Sequence, residues 1–479
     1  MDELVNVYQK QMNNSKTGAD GINPRVVIGA LIIKHMCDLS DRETVLQIQE
    51  NMYMQYFLGF SSFSGEEPFD ASLFVEFRKR LGAEQINAIN QKILNLSVAR
   101  TKDAAVNKKE AKPPDTLPGP DAQKQTDKHR DEDVALQKPS EVQTAPITHD
   151  GKLIVDATAC PQDIAYPTDL NLLNDAREKT EELMDFLYSS LLHNKKPRTY
   201  RKVARKLYLK TAQKKVKSKK VIRTAIRKQL GFVRRNIKNI HTLLSAYTSI
   251  PFNAHQYKYF LVVQTLYDQQ AQMYKEKSHR VEHRIVSIHQ PHVRPIVRGK
   301  TNANVEFGAK INVSLVNGFA FLEDLSWDAF NEGTRLIKTV EQYKERAGYY
   351  PKEVLADKIY CNRANRAKLK ELGIVLVAKA LGRPRAQSNL IRPGQRNPLE
   401  GKFGQAKTTY GMDRIKARLQ QTSESWIATI IMVLNLVKLT GQVPFCLLQS
   451  LFTYSAEGTK NIKCIIRKLK DLHCQKMAI

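Results

Sequence analysis

The sequence predicts an α/β protein with a long, basic helical insertion, preceded by a small all-α domain. Two short apolar strands, at residues 152–156 and 354–357, each end on a carboxylate, and further strand-like runs cluster around them. Helical periodicity surrounds those strands. Residues 195–238 hold 19 Lys and Arg and no acid, yet Val203, Leu207, Val216, Ile222, Ile226, Leu230, Val233 and Ile237 recur among them at roughly helical spacing.

The chain of 479 residues is long enough for two or three domains, and 42 % apolar content supplies a sizeable core. Wholesale disorder is thereby excluded. The 22 Gly rule out a collagen-like chain. The six Cys are scattered without a C-x-x-C, which argues against a zinc ribbon or redox dithiol and suits a reducing compartment. The N-terminus does not read as a signal peptide. The longest apolar run, 427–439, contains Lys438 and is too short to cross a bilayer, so it is expected to be a buried core helix. The protein is expected to be soluble and intracellular. Its 76 Lys and Arg against 48 Asp and Glu give a net charge of +28. An excess of that size calls for a polyanionic partner, and nucleic acid is the default.

Taken in order, residues 1–100 read as an N-terminal helical domain and a candidate DNA-binding unit, with a net charge of −2. Helices are expected at 26–36, 40–52 and 69–81, the second opened by a capping box of Ser40 and Glu43. Residues 101–150 lack any apolar period and read as a flexible, disordered linker. A second domain covers 151–440. It starts with the strand at 152–156, and a helical insertion follows at about 172–285. Strands are expected at 293–300, 309–316 and 319–327, with Asn317-Gly318 as a type I′ hairpin turn. A helix at 327–348, a strand at 354–357, a helix at 363–372 and a strand at 374–379 come next. A helix opening near Asn397 and an apolar helix at 426–439 complete the domain, and 441–479 forms a C-terminal helical tail.

The basic part of the insertion is expected to consist of helices with one apolar seam and a cationic exterior. Like charges so placed repel one another unless phosphate neutralises them. Lys214, Lys215, Lys217, Lys219, Lys220, Arg223 and Arg227 are the candidate DNA contacts.

Several familiar sites are missing: no phosphate-binding G-x-x-x-x-G-K-[ST], no G-x-G-x-x-G, no H-E-x-x-H. His279, His283, His289 and His292 lie close in sequence but lack partners of a metal-site pattern, and a polar helix end is the better account. The carboxylates say more. Asp156 and Asp357 sit at the ends of apolar strands, where α/β sheets bind ligands. Side by side, they would reach one divalent cation, and their oxygens suit Mg²⁺ or Mn²⁺. Each alone reads equally well as a turn residue or helix cap. Glu400 has its own alternative, as the capping-box partner of Asn397 with Pro398 at the first helical position. Against that, Lys407 lies two helical turns on and Arg396 just before. A carboxylate between two cations suits a metal-bound phosphodiester.

These residues resemble a known family. The segments Val155-Asp156-Ala157-Thr158, Leu355-Ala356-Asp357-Lys358-Ile359-Tyr360 and Arg396-Asn397-Pro398-Leu399-Glu400-Gly401-Lys402-Phe403-Gly404 look like the three catalytic blocks of bacterial insertion-sequence DDE transposases. The stretch through Lys407, Tyr410-Gly411-Met412 and Arg414 to Arg418 continues the likeness. So do residues 21–81 and Val305-Glu306-Phe307-Gly308-Ala309-Lys310. Pro393 stands where many members carry a Tyr. The resemblance implies a ribonuclease H-like catalytic domain in which Asp156, Asp357 and Glu400 are catalytic and bind two Mg²⁺ (or Mn²⁺) ions. It implies that Arg396 and Lys407 form the R-x3-E-x6-K signature and contact DNA. The implied activity is DNA cleavage and strand transfer without a covalent protein–DNA intermediate. It further implies a homodimer assembled on element ends and target DNA, without a membrane partner, in bacterial cytoplasm at the nucleoid. Two alternatives stand beside it: a ribonuclease H-like nuclease that cuts without joining, and a non-catalytic DNA-binding protein derived from a transposase.

Overall fold

A computed structural model describes residues 21–92, 148–297, 305–379, 394 and 396–440. The expected linker, apart from residues 148–150, lies outside the described residues, as do the C-terminal tail, Pro393 and the segment before Gly21.

The first helix, α1 (Pro24–Met36), is apolar nearly all round, and a helix without a polar face must be enclosed on every side. It packs on α2 (Asp41–Glu50) and α3 (Met52–Leu58) and on the apolar helix at 420–439, while α4 (Leu73–Arg80) and α5 (83–92) complete the helical part. The capping box is present: Ser40 Oγ accepts from the Glu43 N–H, and Glu43 accepts from the Ser40 N–H. The helix expected at 40–52 is α2, which stops at Glu50 where Asn51 is extended, and the Asn51 side chain then caps α3, a further helix not expected from the sequence.

The central sheet runs β4 (Phe319–Ser326), β3 (Val305–Val316), β1 (Lys152–Pro161), β5 (Glu353–Leu355), β6 (Val375–Val377), with β2 (Arg294–Val297) pairing with β3 on the same edge as β4. β1 pairs antiparallel with β3, which turns back into β4. Asn317 (φ 51°) and Gly318 (φ 82°) both lie in the left-handed region that a type I′ turn requires. Gly308 is needed where β3 crosses the end of β1, since a Cβ there would stand 2.0 Å from the Cys160 carbonyl oxygen. On its other side β1 pairs in parallel with β5, and β5 with β6. α10 (Leu336–Ala347) links β4 to β5, and α11 (Arg363–Glu371) links β5 to β6. The helix expected from Trp327 begins only at Leu336, after a loop and the 3₁₀ turn Glu332–Arg335. α12 (Asn397–Thr409) and α13 (Gln420–Leu439) complete the element order.

α13 is long and apolar enough to cross a membrane, but it is the buried centre of the molecule. It packs on β4 from one side and on α1 and α4 from the other. One apolar core therefore runs from the N-terminal helices into the sheet. Polar groups tie the same joint. Lys34 and Arg78, both buried, share the carboxylate of Asp41, with Lys34 Nζ 3.0 Å from Oδ1. Both cations also lie over the Trp426 indole, 4.6 and 5.0 Å from its centroid.

Burial lowers the Lys34 pKa from 10.5 to about 8, against the pull of Asp41. Between those two values the unfolded chain binds a proton that the folded chain does not, so Lys34 makes stability rise with pH across the window. Urea midpoints measured from pH 8 upward are expected to rise less in Lys34→Met than in the unaltered chain. Identical slopes would show that Lys34 is not held in this pocket.

The insertion forms its own bundle of α6 (Asp169–Leu187), α7 (Arg201–Ala212), α8 (Lys219–Leu244) and α9 (Ala254–Glu276), with two small apolar cores apart from the main one. The helical insertion expected to reach about 285 stops at Glu276, where Lys277 adopts a left-handed conformation. Arg177 is buried inside the bundle and is held by Glu181 (2.6 Å), Asn174 (2.8 Å) and Glu178 (2.9 Å).

Candidate active site

The sheet register places the two aspartates. Ile154 pairs with Leu355 across β1 and β5, and Asp156 and Asp357 each follow that pair by two residues. Asp156 is then in the middle of β1, whereas Asp357 lies two residues beyond the end of β5 and opens the 3₁₀ turn Lys358–Tyr360. Glu400 comes from the first turn of α12, which packs on β1 through its buried face. Arg396, at the N-cap of α12, stands between all three. Its Nη2 is 3.1 Å from Asp156 Oδ2, its Nη1 is 3.1 Å from Asp357 Oδ1, and Nη2 is 4.0 Å from Glu400 Oε1. Three carboxylates from segments 201 and 43 residues apart thus surround one guanidinium.

The capping alternative for Glu400 does not match this helix. α12 starts at Asn397, so its N-cap is Arg396, and no side chain caps it. Glu400 is then one position past the capping-box site.

Asp156 is the most enclosed of the three, and its Oδ1 accepts the Ala157 N–H at 2.9 Å. Burial raises its pKa above the ordinary carboxylate value, with Glu332 and Asp357 adding to it, against the Ala157 N–H and Arg396. Below the site, Tyr360 donates to Asn312 Oδ1 (3.2 Å), and Asn312 Nδ2 donates to Thr339 (2.8 Å). Burial pushes the Tyr360 phenol pKa up, which keeps it a donor. Asn312 lies opposite Ala157 in the β1–β3 register, so this buried chain fixes the strand that carries Asp156. Sequence reasoning missed Glu332, which acts electrostatically on both Asp156 and Tyr360 and pairs with Lys310 at 2.9 Å. It opens the 3₁₀ turn Glu332–Arg335 outside any motif, and only the fold brings it near.

The carboxylates fit a divalent cation by chemistry, since hard oxygen donors suit Mg²⁺ or Mn²⁺. Their placement differs from the expected shared coordination. Among the described residues no three His, Cys, Asp or Glu side chains are placed to ligate one ion. The guanidinium of Arg396 fills the centre of the cluster instead.

The remaining expected residues fall elsewhere. Lys407 is half-buried two turns along α12. Lys214, Lys215 and Lys217 are exposed in the α7–α8 turn, and Lys219 and Lys220 open α8. Cations in a first turn oppose the helix dipole, so this end of α8 gains from a bound anion. Arg227 is exposed, whereas Arg223 is engaged within the bundle: it donates to the Tyr274 carbonyl (3.0 Å) and stacks on that ring at 4.0 Å. The four histidines are dispersed. His283 faces Asp328 (3.2 Å), and His289 shares a hydrogen bond with Tyr259 (2.7 Å). His279 lies 3.6 Å from Asp169, and His292 packs edge-on against Trp327.

Two family models match the chain. Residues 354–437, which include Asp357 and Glu400, match the transposase DDE domain, and residues 1–80 match a transposase domain (DUF772). An uncharacterized protein, ORF8 in the nfe locus of Rhizobium meliloti, is 42 % identical over 65 residues. That match covers 14 % of this chain and 31 % of the relative, so the chain spans about a third of the relative's length. No solved structure matches. The resemblance to insertion-sequence DDE transposases holds in two separate parts of the chain.

Proposed function

We propose that this protein is a DDE transposase that cuts DNA at the ends of an insertion sequence and joins the resulting 3′-hydroxyl ends to target DNA. The observation that carries this reading is the gathering of Asp156, Asp357 and Glu400 around Arg396. A mixed sheet with one carboxylate on β1 and a second just beyond the end of the parallel neighbour β5 supports a ribonuclease H-like catalytic domain over 151–440, interrupted by the helical insertion. Residues 1–100 would form the accompanying helical domain. The working form on DNA is a homodimer in the bacterial cytoplasm.

In this reading Asp156, Asp357 and Glu400 hold two Mg²⁺ or Mn²⁺ ions, which when bound supply Lewis acidity to the phosphodiester and lower the pKa of the attacking hydroxyl. The chain's own groups do the rest. Arg396 leaves the carboxylates and, with Lys407, holds the scissile phosphate by charge-assisted hydrogen bonds. Asn312 and Tyr360 keep β1 fixed while the charge at the site changes. No side chain serves as a covalent nucleophile, so water and the DNA 3′-hydroxyl attack in turn.

The test is a cleavage and joining assay on DNA carrying the element's terminal repeats, with Mg²⁺ and with a chelator. Metal-dependent nicking followed by joined product is expected. Cleavage without joining would leave a nuclease, and DNA binding without cleavage would leave a non-catalytic derivative.

The insertion is the proposed DNA track. Each neutralised phosphate contributes about −0.9 to the slope of log affinity against log salt. Changing Lys214, Lys215, Lys217, Lys219 and Lys220 together to Gln should flatten that slope by about 2–4 units, if most of the five meet phosphate. Affinity should fall alike for all DNA sequences. A slope that does not change would place the DNA on another surface.

A further inference from the structure

The N-terminal helices carry a surface that phosphate does not suit. Residues 41–70 hold six carboxylates, of which Asp41 is paired with Lys34 and Arg78, against Arg42 within the segment and Arg25 bonded to the Phe57 carbonyl at the end of α3. On α3, Met52 and Tyr56 stand one turn apart on the outer side, 58 % and 76 % exposed, opposite the buried Met54 and Leu58. The loop that follows exposes Phe63, and Glu66, Glu67 and Asp70 lie exposed beside it in sequence. Exposed aromatic and Met side chains in number mark a protein-binding surface. The exposed carboxylates Glu66, Glu67 and Asp70 repel a nucleic-acid backbone.

The complement lies on the same chain. Around the α6–α7 connection, Leu191, Leu192, Tyr200 and Val203 are exposed, Leu191 by 94 %. They alternate with the exposed cations Lys195, Lys202 and Lys206. Phosphate contact accounts for the cations but not for the Leu and Val side chains. Within one chain the two surfaces are engaged elsewhere: the N-terminal helices pack chiefly on α13, and the insertion helices chiefly on one another.

We propose that the acidic, aromatic face of α3 and its following loop docks on the basic, apolar tip of the insertion of a second copy of this chain. Opposite charges would set the register, and the exposed aromatic and aliphatic groups would be buried between the copies. Because each copy offers both halves, a reciprocal exchange closes the pair about a two-fold axis and does not propagate. The cations of the tip belong to the segment proposed to follow DNA, so DNA and the second copy compete for it. The DNA-free chain is then a dimer in which part of the DNA track is covered, whatever chemistry the carboxylate site performs.

Sedimentation velocity on the full chain tests this. At low salt and without DNA the expected mass is twice that of the chain, and it should fall to that of the chain on adding salt, or to that of one chain with its bound DNA on adding a short duplex that lacks the terminal repeats. Met52→Lys with Tyr56→Lys, and separately Leu191→Glu with Val203→Glu, should each give monomers with the melting transition of the unaltered chain. An equimolar mixture of the two variants should dimerise again, because reversed charges then meet across one contact and native surfaces across the other. Should the first variant fail to fold, Glu66→Lys with Glu67→Lys in the loop replaces it. A chain that is monomeric at low salt overturns the proposal. So does a variant that dimerises like the unaltered chain, a mixture that stays monomeric, or a dimer indifferent to duplex.

Discussion

Glu400→Gln is expected to abolish DNA cleavage and joining in Mg²⁺ while leaving DNA binding unchanged. Gln keeps the size of the side chain and its place on α12, so the substitution removes one negative charge and little else. Loss of even an outer partner of a metal site costs about 10–100-fold in affinity or activity, and loss of a direct ligand should cost at least as much. Asp156→Asn and Asp357→Asn should behave alike, since both side chains reach the same guanidinium at 3.1 Å. A role for Glu400 in capping predicts the reverse, because Gln is also a competent capping-box residue. The start of α12 at Asn397 already removes the geometry that role needs. The decisive measurement is single-turnover cleavage of a terminal-repeat duplex beside binding of the same duplex. Near-normal cleavage by Glu400→Gln would sink the carboxylate triad as the catalytic centre.

The aspartates were legible because each closes a short apolar run, a local signal, but neither ends its strand: β1 continues past Asp156 to Pro161, and β5 stops at Leu355, two residues before Asp357. The Asn317-Gly318 turn was legible for the same reason, its chemistry being contained in two residues. The opening of α12 was misread by one position, because Asn-Pro-x-Glu satisfies the grammar of a helix cap while Arg396 takes the cap in the fold. The gathering of three carboxylates around Arg396 could be guessed from spacing only as a possibility. It depends on β1 and β5 pairing in parallel across 201 residues. Least legible was the joint between the N-terminal helices and α13. Lys34, Arg78 and Trp426 lie hundreds of residues apart in part, and a buried Lys contradicts the ordinary expectation that Lys stays exposed. Helical spacing and the linker after it set residues 1–100 apart as a domain, and nothing in that pattern shows that their apolar core is continuous with that of the sheet.

Arg396→Gln is expected to lower the stability of the metal-free protein and to enlarge the stabilisation that Mg²⁺ confers. Arg396 is the cation shared by Asp156, Asp357 and Glu400. Deleting one partner of a buried ion pair costs about 3–5 kcal/mol, but an exposed pair is worth only about 0–1 kcal/mol. With Asp357 and Glu400 more than half exposed, a loss of about 1–2 kcal/mol is the reasonable middle. The pH dependence follows from Asp156. Its pKa is raised, chiefly by burial, so the folded chain holds a proton that the unfolded chain has released. Stability therefore falls as pH rises from the ordinary carboxylate value through the raised one. Arg396 opposes that shift, so the variant should lose stability more steeply over the same range. A cation bound only by the folded form stabilises in proportion to its occupancy. Mg²⁺ no longer has a guanidinium to displace in the variant, so it should raise the melting temperature more than in the unaltered chain. DNA cleavage should nevertheless be lost, because the phosphate loses its clamp. Equal melting temperatures without metal, together with equal shifts on adding Mg²⁺, would show that Arg396 does not stand among the carboxylates in solution.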